Sequence, residues 1–301
     1  MSRIAKVAAC LGAIALTASL AACSGGAAQP AASAGSAEDP VRIGVVGASD
    51  PYWADYTAAA EAEGISVEIV DFAEYSQPNP ALSAGEIDLN QFQHVLYLAQ
   101  YNVSAGEDLV PIGSTAIYPL GLYSQKYASP EEIPAGSQIA VPNDESNQAR
   151  ALLVLQQAGL ITLRDGGSPY STPDDIIAEQ SKATVLPVDA SLTGPSLPDV
   201  AASIINNDFV ADAGFTQADA IATDDENAPE SVPYINIFAA RAEDAQNPTY
   251  QRLVEIYQHD QATLDGVVEV AGGAAKLVQT PVDELLASLE STQAQYREHQ
   301  G

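Results

Sequence analysis

The chain has 301 residues, of which 47% are hydrophobic, and it carries a formal net charge of −29. It is long enough for one large domain or two lobes with a substantial core. An acidic surface of this strength repels phosphate backbones, which argues against nucleic acid as a partner. The two cysteines and three widely spaced histidines do not suit a zinc site, and we expect no cofactor.

Residues 1–22 have the layout of a secretory signal peptide. Arg3 and Lys6 form a short basic region, an apolar run extends to Leu20, and two alanines precede Cys23. The run is too short for a permanent membrane span. A leucine, two small residues and a cysteine resemble a bacterial lipobox, in which the cysteine receives lipid and becomes the first mature residue. The alternative is an ordinary cleavage site followed by an incidental cysteine.

Residues 23–40 are predicted to be a lipidated cysteine and a flexible tether. The stretch 24–39 is mostly Ala, Ser and Gly, so it cannot bury enough apolar surface to offset its ordering entropy. The signal contains two basic residues and no acidic one, so the mature net charge is about −31. Lipidation of Cys23 leaves no cysteine pair for a disulfide. We therefore predict a protein anchored by lipid at the extracytoplasmic face of the cell membrane.

From residue 41 onward, β-rich and helical stretches alternate. Strands are predicted at residues 41–46, 67–72, 109–114, 117–123, 138–141, 184–187 and 234–240. Helices are predicted at residues 53–63, 78–84, 94–100, 147–158, 199–205 and 281–299. This β-α alternation predicts the α/β class, with parallel strands and helices on the faces of the sheets.

The β-α order restarts after residue 123, which indicates two lobes. We assign residues 41–123 to the first part of lobe 1 and residues 124–233 to lobe 2. Residues 234–301 then return to lobe 1 and end in helices. A cleft between two such lobes is a favoured place for a small ligand, and hinge closure around it is the expected motion.

Three passages, at residues 72–82, 85–94 and 142–152, resemble the NlpA/MetQ family in sequence and in order. That family comprises methionine-binding lipoproteins of bacterial ABC importers. The resemblance implies a two-lobed periplasmic-binding-protein fold with the ligand in the interlobe cleft. It extends from about residue 41 to beyond residue 241.

Arg150 is the first candidate for ligand binding. It lies near the start of a predicted helix, where the helix dipole gives a cation no local benefit. A guanidinium fork and a helix N-terminus together favour a carboxylate. The match to an Asn-Gln-x-Arg motif implies that Arg150 holds the ligand carboxylate. The alternative is a surface arginine paired with Asp144 or Glu145.

Four residues are candidates for the wall around the ligand side chain: Tyr75, Phe92, His94 and Tyr97. Aromatic groups suit a thioether, since sulfur–aromatic contacts contribute about 0.3–1.5 kcal/mol each. The resemblance implies that these positions line the pocket. Without the resemblance, the sequence favours Phe92 and Tyr97 as lobe core and His94 as a structural histidine; the resemblance reverses this preference.

Asn206 and Asn236 are candidates for the polar end of the ligand. A buried amide accepts from an ammonium through its oxygen and donates to a carboxylate through its nitrogen. The alternative for each is an asparagine that stabilises a turn. Two departures from the family concern side-chain specificity: Trp53 is predicted to enter the pocket, and an Asn-Asp-Phe sequence at residues 207–209 replaces a Gly-Asn-Tyr pattern.

These observations predict a monomeric, lipid-anchored binding protein that delivers L-methionine or a close amino acid to an ABC importer, with the permease and ATPase as partners. Another small carboxylate or a methionyl dipeptide is the alternative ligand. An exported enzyme is disfavoured, because the chain has no Gly-x-Ser-x-Gly elbow and no phosphate-binding loop. A surface adhesin that uses the fold without a ligand is disfavoured by Arg150, Asn206 and Asn236.

Overall fold

The computed structural model describes residues 35–225 and 229–301. The predicted signal peptide, Cys23 and most of the tether lie outside the described residues. The strands are β1 (Val41–Val45), β2 (Val67–Asp71), β3 (Leu89–His94), β4 (Val110–Ser114), β5 (Ala116–Ile117), β6 (Gly121–Tyr123), β7 (Ser137–Pro142), β8 (Ala183–Val188), β9 (Ala202–Ile205), β10 (Ala222–Thr223), β11 (Asn236–Ala240) and β12 (Lys276–Leu277). The α-helices are α1 (Tyr52–Ala62), α2 (Pro78–Ser83), α3 (Val95–Ala105), α4 (Glu145–Gln157), α5 (Ala190–Thr193), α6 (Asn207–Val210), α7 (Pro248–His259), α8 (Gln261–Val270) and α9 (Val282–Gln300).

The first lobe is built on a five-stranded sheet in the order β2-β1-β3-β11-β4. Strand β1 is parallel to β2 and β3, while β11 runs antiparallel between β3 and β4. Successive side chains of β11 enter different clusters, because strand residues alternate between the faces of a sheet. Phe238 packs with α1, α7 and α8, whereas Ile237 packs with α2, α3 and α9. The sheet is therefore covered by helices on both faces.

The second lobe is built on a sheet in the order β10-β6-β9-β7-β8. Strands β7, β8 and β9 are parallel, and β6 runs antiparallel to both β9 and β10. Helix α4 packs Leu152 and Leu155 against Ile139 of β7 and Ile204 of β9. The chain crosses between the lobes after β5 and again before β11, as a hinged two-lobed protein requires.

Three predicted elements differ from the structure. Residues 202–205, predicted as part of a helix, form the buried strand β9, because a short apolar run does not distinguish the two by periodicity. The predicted strand 117–123 is divided into β5 and β6 by Pro119. Strand β6 pairs in the second sheet, so the structure places residues 121–123 in lobe 2 rather than lobe 1.

Strand β3 is the third difference, since only the helix after it is expected from the sequence. Most of its side chains are polar, which does not predict a buried strand, yet every residue of β3 is buried. The side-chain amides of Asn79, Asn90 and Gln93 form hydrogen bonds of 2.6–2.9 Å with one another. Such a closed network removes the cost of burying amides.

Among the described residues, no helix combines the length and apolar character needed to cross a membrane.

Candidate ligand-binding site

A cavity of about 440 Å³, including its mouth, lies between the two lobes. The first lobe contributes Tyr75, Phe92, His94, Tyr97 and Asn236; the second contributes Asn147, Arg150, Asn206, Asn207 and Asp208; and the crossover contributes Tyr118, Pro119 and Leu120. The space inside it that is open to the centre of a water molecule is about 40 Å³, so in this arrangement of the lobes the cavity is smaller than the usual small-molecule site of about 300–1,000 Å³. Every predicted site residue except Trp53 lines this cavity.

Arg150 reaches the cavity from the second turn of α4, and its side chain is only 7% exposed. Its Nε donates to Asp224 Oδ2 at 2.6 Å, and its Nη2 donates to the carbonyl of Tyr118 at 2.8 Å. The guanidinium carbon also lies 4.4 Å from the centre of the Tyr234 ring. These contacts hold the guanidinium in place and use two of its five N–H groups. Nη1 is in neither hydrogen bond and is suited to a ligand carboxylate.

The alternative partners of Arg150 have other roles. Asp144 is the N-cap of α4, where its Oδ1 accepts from the backbone N–H of Asn147 at 3.0 Å. Glu145 accepts a hydrogen bond from the hydroxyl of Tyr296 in α9. The salt bridge of Arg150 is instead with Asp224, which also accepts from the backbone N–H of Leu120.

The aromatic side of the cavity is a packed cluster. The ring of Phe92 lies 5.8 Å from that of Tyr75 and 5.6 Å from that of Tyr97, and Phe209 of the second lobe lies 5.3 Å from Tyr75. The Tyr97 hydroxyl donates to the carbonyl of Tyr75 at 2.9 Å. Because these rings fix one another, they form a preorganised wall for an apolar or thioether side chain.

His94 is held neutral at the floor of the cavity. It ends β3 and caps α3, where its Nδ1 accepts from the backbone N–H of Tyr97 at 3.1 Å. Nδ1 therefore carries no proton, and Nε2 donates to Asn147 Oδ1 across the lobes at 3.4 Å. Burial and the nearby charge of Arg150 lower the pKa of His94 to about 3. A neutral imidazole leaves Arg150 as the cation of the site at neutral pH.

Two asparagines predicted to bind the polar end lie on opposite lobes. Asn206 precedes α6, and its Oδ1 is buried with no hydrogen-bond partner among the described residues. Asn236 begins β11 in register with His94. An unpaired buried carbonyl is costly, about 1–3 kcal/mol, unless a ligand donor completes it. Asn206 thus presents a free acceptor to the cavity.

Several lining residues escape prediction from the sequence. Tyr118 and Leu120 lie in residues 118–124, which resemble the NlpA/MetQ family only weakly, and that resemblance is the one signal that could have indicated them. Asp208 lies in the sequence noted as a departure from the family, and it accepts from the Tyr75 hydroxyl at 2.6 Å. Asp224 has no local signal, because only the fold brings it to Arg150 from 74 residues away.

Trp53 is not in the cavity, and the prediction that it enters the pocket is wrong. Its side chain is 2% exposed in the core of the first lobe. Its ring lies 4.8 Å from Tyr52, 5.8 Å from Tyr56 and 6.1 Å from Tyr257. The physical reason is the position of Trp53 around helix α1: it lies on the face that packs against α7 and the sheet, not on a face toward the second lobe.

Comparison with known proteins identifies the family. The model of the NlpA lipoprotein family matches residues 41–268. The chain belongs to the NlpA lipoprotein family. It is 36% identical over 246 residues to the D-methionine-binding lipoprotein MetQ of Salmonella typhi, covering 79% of this chain and 89% of that protein.

Two solved structures of similar proteins support the same assignment. Protein PG110 of Staphylococcus aureus is 35% identical with a TM-score of 0.79, covering 84% of this chain and 99% of the other. A nutrient-binding protein of Burkholderia cenocepacia, solved bound to methionine, is 34% identical with a TM-score of 0.73, covering 79% and 99%. The predicted two-lobed periplasmic-binding-protein fold of this NlpA family member is confirmed.

Proposed function

We propose that this NlpA family member is a lipid-anchored, extracytoplasmic substrate-binding protein that delivers L-methionine or a close amino acid to an ABC importer. The observation that carries the proposal is one interlobe cavity that joins Arg150 and two asparagine side chains to an aromatic wall. In this assignment Arg150 binds the carboxylate, while Asn206 and Asn236 bind the polar end. Tyr75, Phe92, His94 and Tyr97 surround the side chain.

The comparisons support the ligand class. One relative is named for D-methionine, and one similar structure was solved with methionine bound. The cavity chemistry supports binding rather than catalysis: His94 is neutral and buried, and the aromatic wall presents no nucleophile. We therefore propose a monomeric binding protein, not an enzyme, whose partners are a permease and its ATPase.

Ligand binding is tested on the soluble form that begins at Ser24, after removal of any copurified ligand by unfolding and refolding. We expect L-methionine to raise the melting temperature, because a ligand at 100 times its Kd stabilises the folded state by about 2.7 kcal/mol. D-Methionine, the other common amino acids, methionyl dipeptides and small carboxylates form the comparison set. After incubation with the protein, each compound is analysed by mass spectrometry to show whether it has been chemically converted.

Each outcome of this screen is informative. A shift with methionine and no turnover supports the proposal. A shift only with dipeptides or other carboxylates supports the alternative ligand class, and turnover indicates an exported enzyme. No shift with any compound contradicts a role in uptake of this ligand class.

Anchoring rests on Cys23, which lies outside the described residues. We expect Cys23→Ala to abolish lipidation and to move the protein from the membrane fraction to the soluble fraction. The ligand affinity of the released protein should equal that of wild type, because the cavity is formed by residues 75–236. A Ser24→Ala variant is the matched control and should stay anchored. A Cys23→Ala protein that remains in the membrane fraction would show that the anchor lies elsewhere.

A further inference from the structure

Asp208 and Asn206, two residues apart in the second lobe, both line the interlobe cavity. Asn206 is the cap of α6, and Asp208 lies within its first turn. Asn206 is 8% exposed, and its Oδ1 has no hydrogen-bond partner among the described residues. The lining of the cavity therefore includes two side chains with acceptor oxygens from nearby positions of the second lobe.

Among the residues that the structure describes, no cation forms an ion pair with Asp208. The ion pair of Arg150 is with Asp224. Asp208 accepts hydrogen bonds from neutral groups, from the Tyr75 hydroxyl at 2.6 Å and from the side chain of Asn207. Among the described residues that line the cavity, Asp208 is the only carboxylate and Arg150 the only cation. With Arg150 matched by Asp224, the cavity retains one uncompensated negative charge.

We propose that Asp208, together with Asn206 Oδ1, binds the α-ammonium group and makes a protonated amine a requirement for the ligand. This inference rests on the proposed amino-acid function and specifies its ligand class. A zwitterion leaves the charge of the site unchanged and supplies N–H donors to the unpartnered Asn206 Oδ1 and to the Asp208 carboxylate. A 2-hydroxy acid or an N-acyl amino acid brings a second negative charge and no ammonium. The site therefore selects free amino acids against these analogues.

The pH dependence of selection follows from Asp208. Burial raises its pKa to about 6, while the hydrogen bonds from Tyr75 and Asn207 act in the opposite direction. The charged and titratable groups facing this region are Tyr75, Arg150 of α4, Tyr118 of the crossover, Tyr52 of α1, Tyr257 of α7, Asp212 and Asp50. Burial and the nearby charge of Asp208 raise the pKa of Asp50 to about 7, so Asp50 titrates in the same range and is common to wild type and Asp208→Asn. Protonation of Asp208 below pH 6 removes the charge that selects the ammonium, so the preference should weaken there.

The test uses a pair of ligands that differ only in the α-substituent: L-methionine and 2-hydroxy-4-(methylthio)butanoate. Calorimetric titration at pH 7.5 gives the ratio of their Kd values. We expect wild type to prefer the amine strongly and Asp208→Asn, a near-isosteric change, to reduce that ratio by roughly 10- to 100-fold, since a charge-assisted hydrogen bond is lost. Between pH 7.5 and 5.0 the ratio should fall in wild type and change much less in Asp208→Asn.

One variant serves as the control. Asp212→Asn removes the same charge at an exposed position one turn away and should keep the wild-type ratio. The pH dependence of the ratio in wild type tests the idea even if Asp208→Asn folds poorly, and a wild-type ratio that stays constant from pH 7.5 to 5.0 would contradict it. An Asp208→Asn protein that folds and keeps the wild-type ratio would overturn the inference and leave the proposed function intact. A wild-type protein that binds no amino acid would instead remove the proposed function.

Discussion

Arg150→Ala is expected to weaken amino-acid binding by about 2–5 kcal/mol, because the ligand carboxylate is left in a buried site without its cation. This corresponds to roughly 30- to 5,000-fold in Kd. The melting temperature of the ligand-free variant should also fall, since Asp224 and the carbonyl of Tyr118 lose their donor. Calorimetric titration and thermal unfolding of the ligand-free protein measure the two effects separately.

Asp224→Asn is the matched control for Arg150→Ala. It breaks the same ion pair but keeps the guanidinium, and its amide oxygen can still accept from the backbone N–H of Leu120. We expect it to lose stability while retaining affinity. Arg150→Lys should restore only part of the affinity, because an ammonium lacks the planar fork. If Asp224→Asn loses as much affinity as Arg150→Ala, then Arg150 acts by positioning the crossover rather than by binding the ligand.

Trp53→Ala is expected to lower the free energy of unfolding by about 3–5 kcal/mol, the usual cost of removing a large buried ring. The ring packs against Tyr52, Tyr56 and Tyr257, so its removal leaves a void between α1 and α7. Ligand affinity, measured where the variant remains folded, should be unchanged because Trp53 does not line the cavity. Urea unfolding and calorimetric titration provide the two values.

Trp53→Phe separates ring volume from polarity. The Trp53 Nε1–H is buried without an acceptor among the described residues, and such a group costs about 1–3 kcal/mol. Phenylalanine removes that cost along with part of the ring, so its stability should lie much closer to wild type than that of Trp53→Ala. A Trp53→Ala protein of wild-type stability but reduced affinity would place the indole in the ligand site after all.

The β-α alternation predicted the α/β class, but the division of the chain between sheets depended on long-range pairing. The predicted strand 117–123 shows the difference: β5 pairs with β12, whereas β6 pairs with β9 and β10. Local sequence contains no information about which distant strand supplies the hydrogen bonds. Strand β3 was missed for a related reason, because its buried amides are tolerated only through partners from elsewhere in the fold.

For the site, residue types and motifs were enough to identify the candidate side chains: one arginine near a helix start, a group of aromatic residues and two asparagines. This was possible because their chemistry is local. Their surroundings depend on the fold. The fold pairs Arg150 with Asp224, buries Trp53 in the core of the first lobe and places Asp208 and Asn206 in the lining of one cavity. The partner that balances a charge and the surface that a helix face packs against are supplied by residues distant in the chain, and only packing brings those residues together.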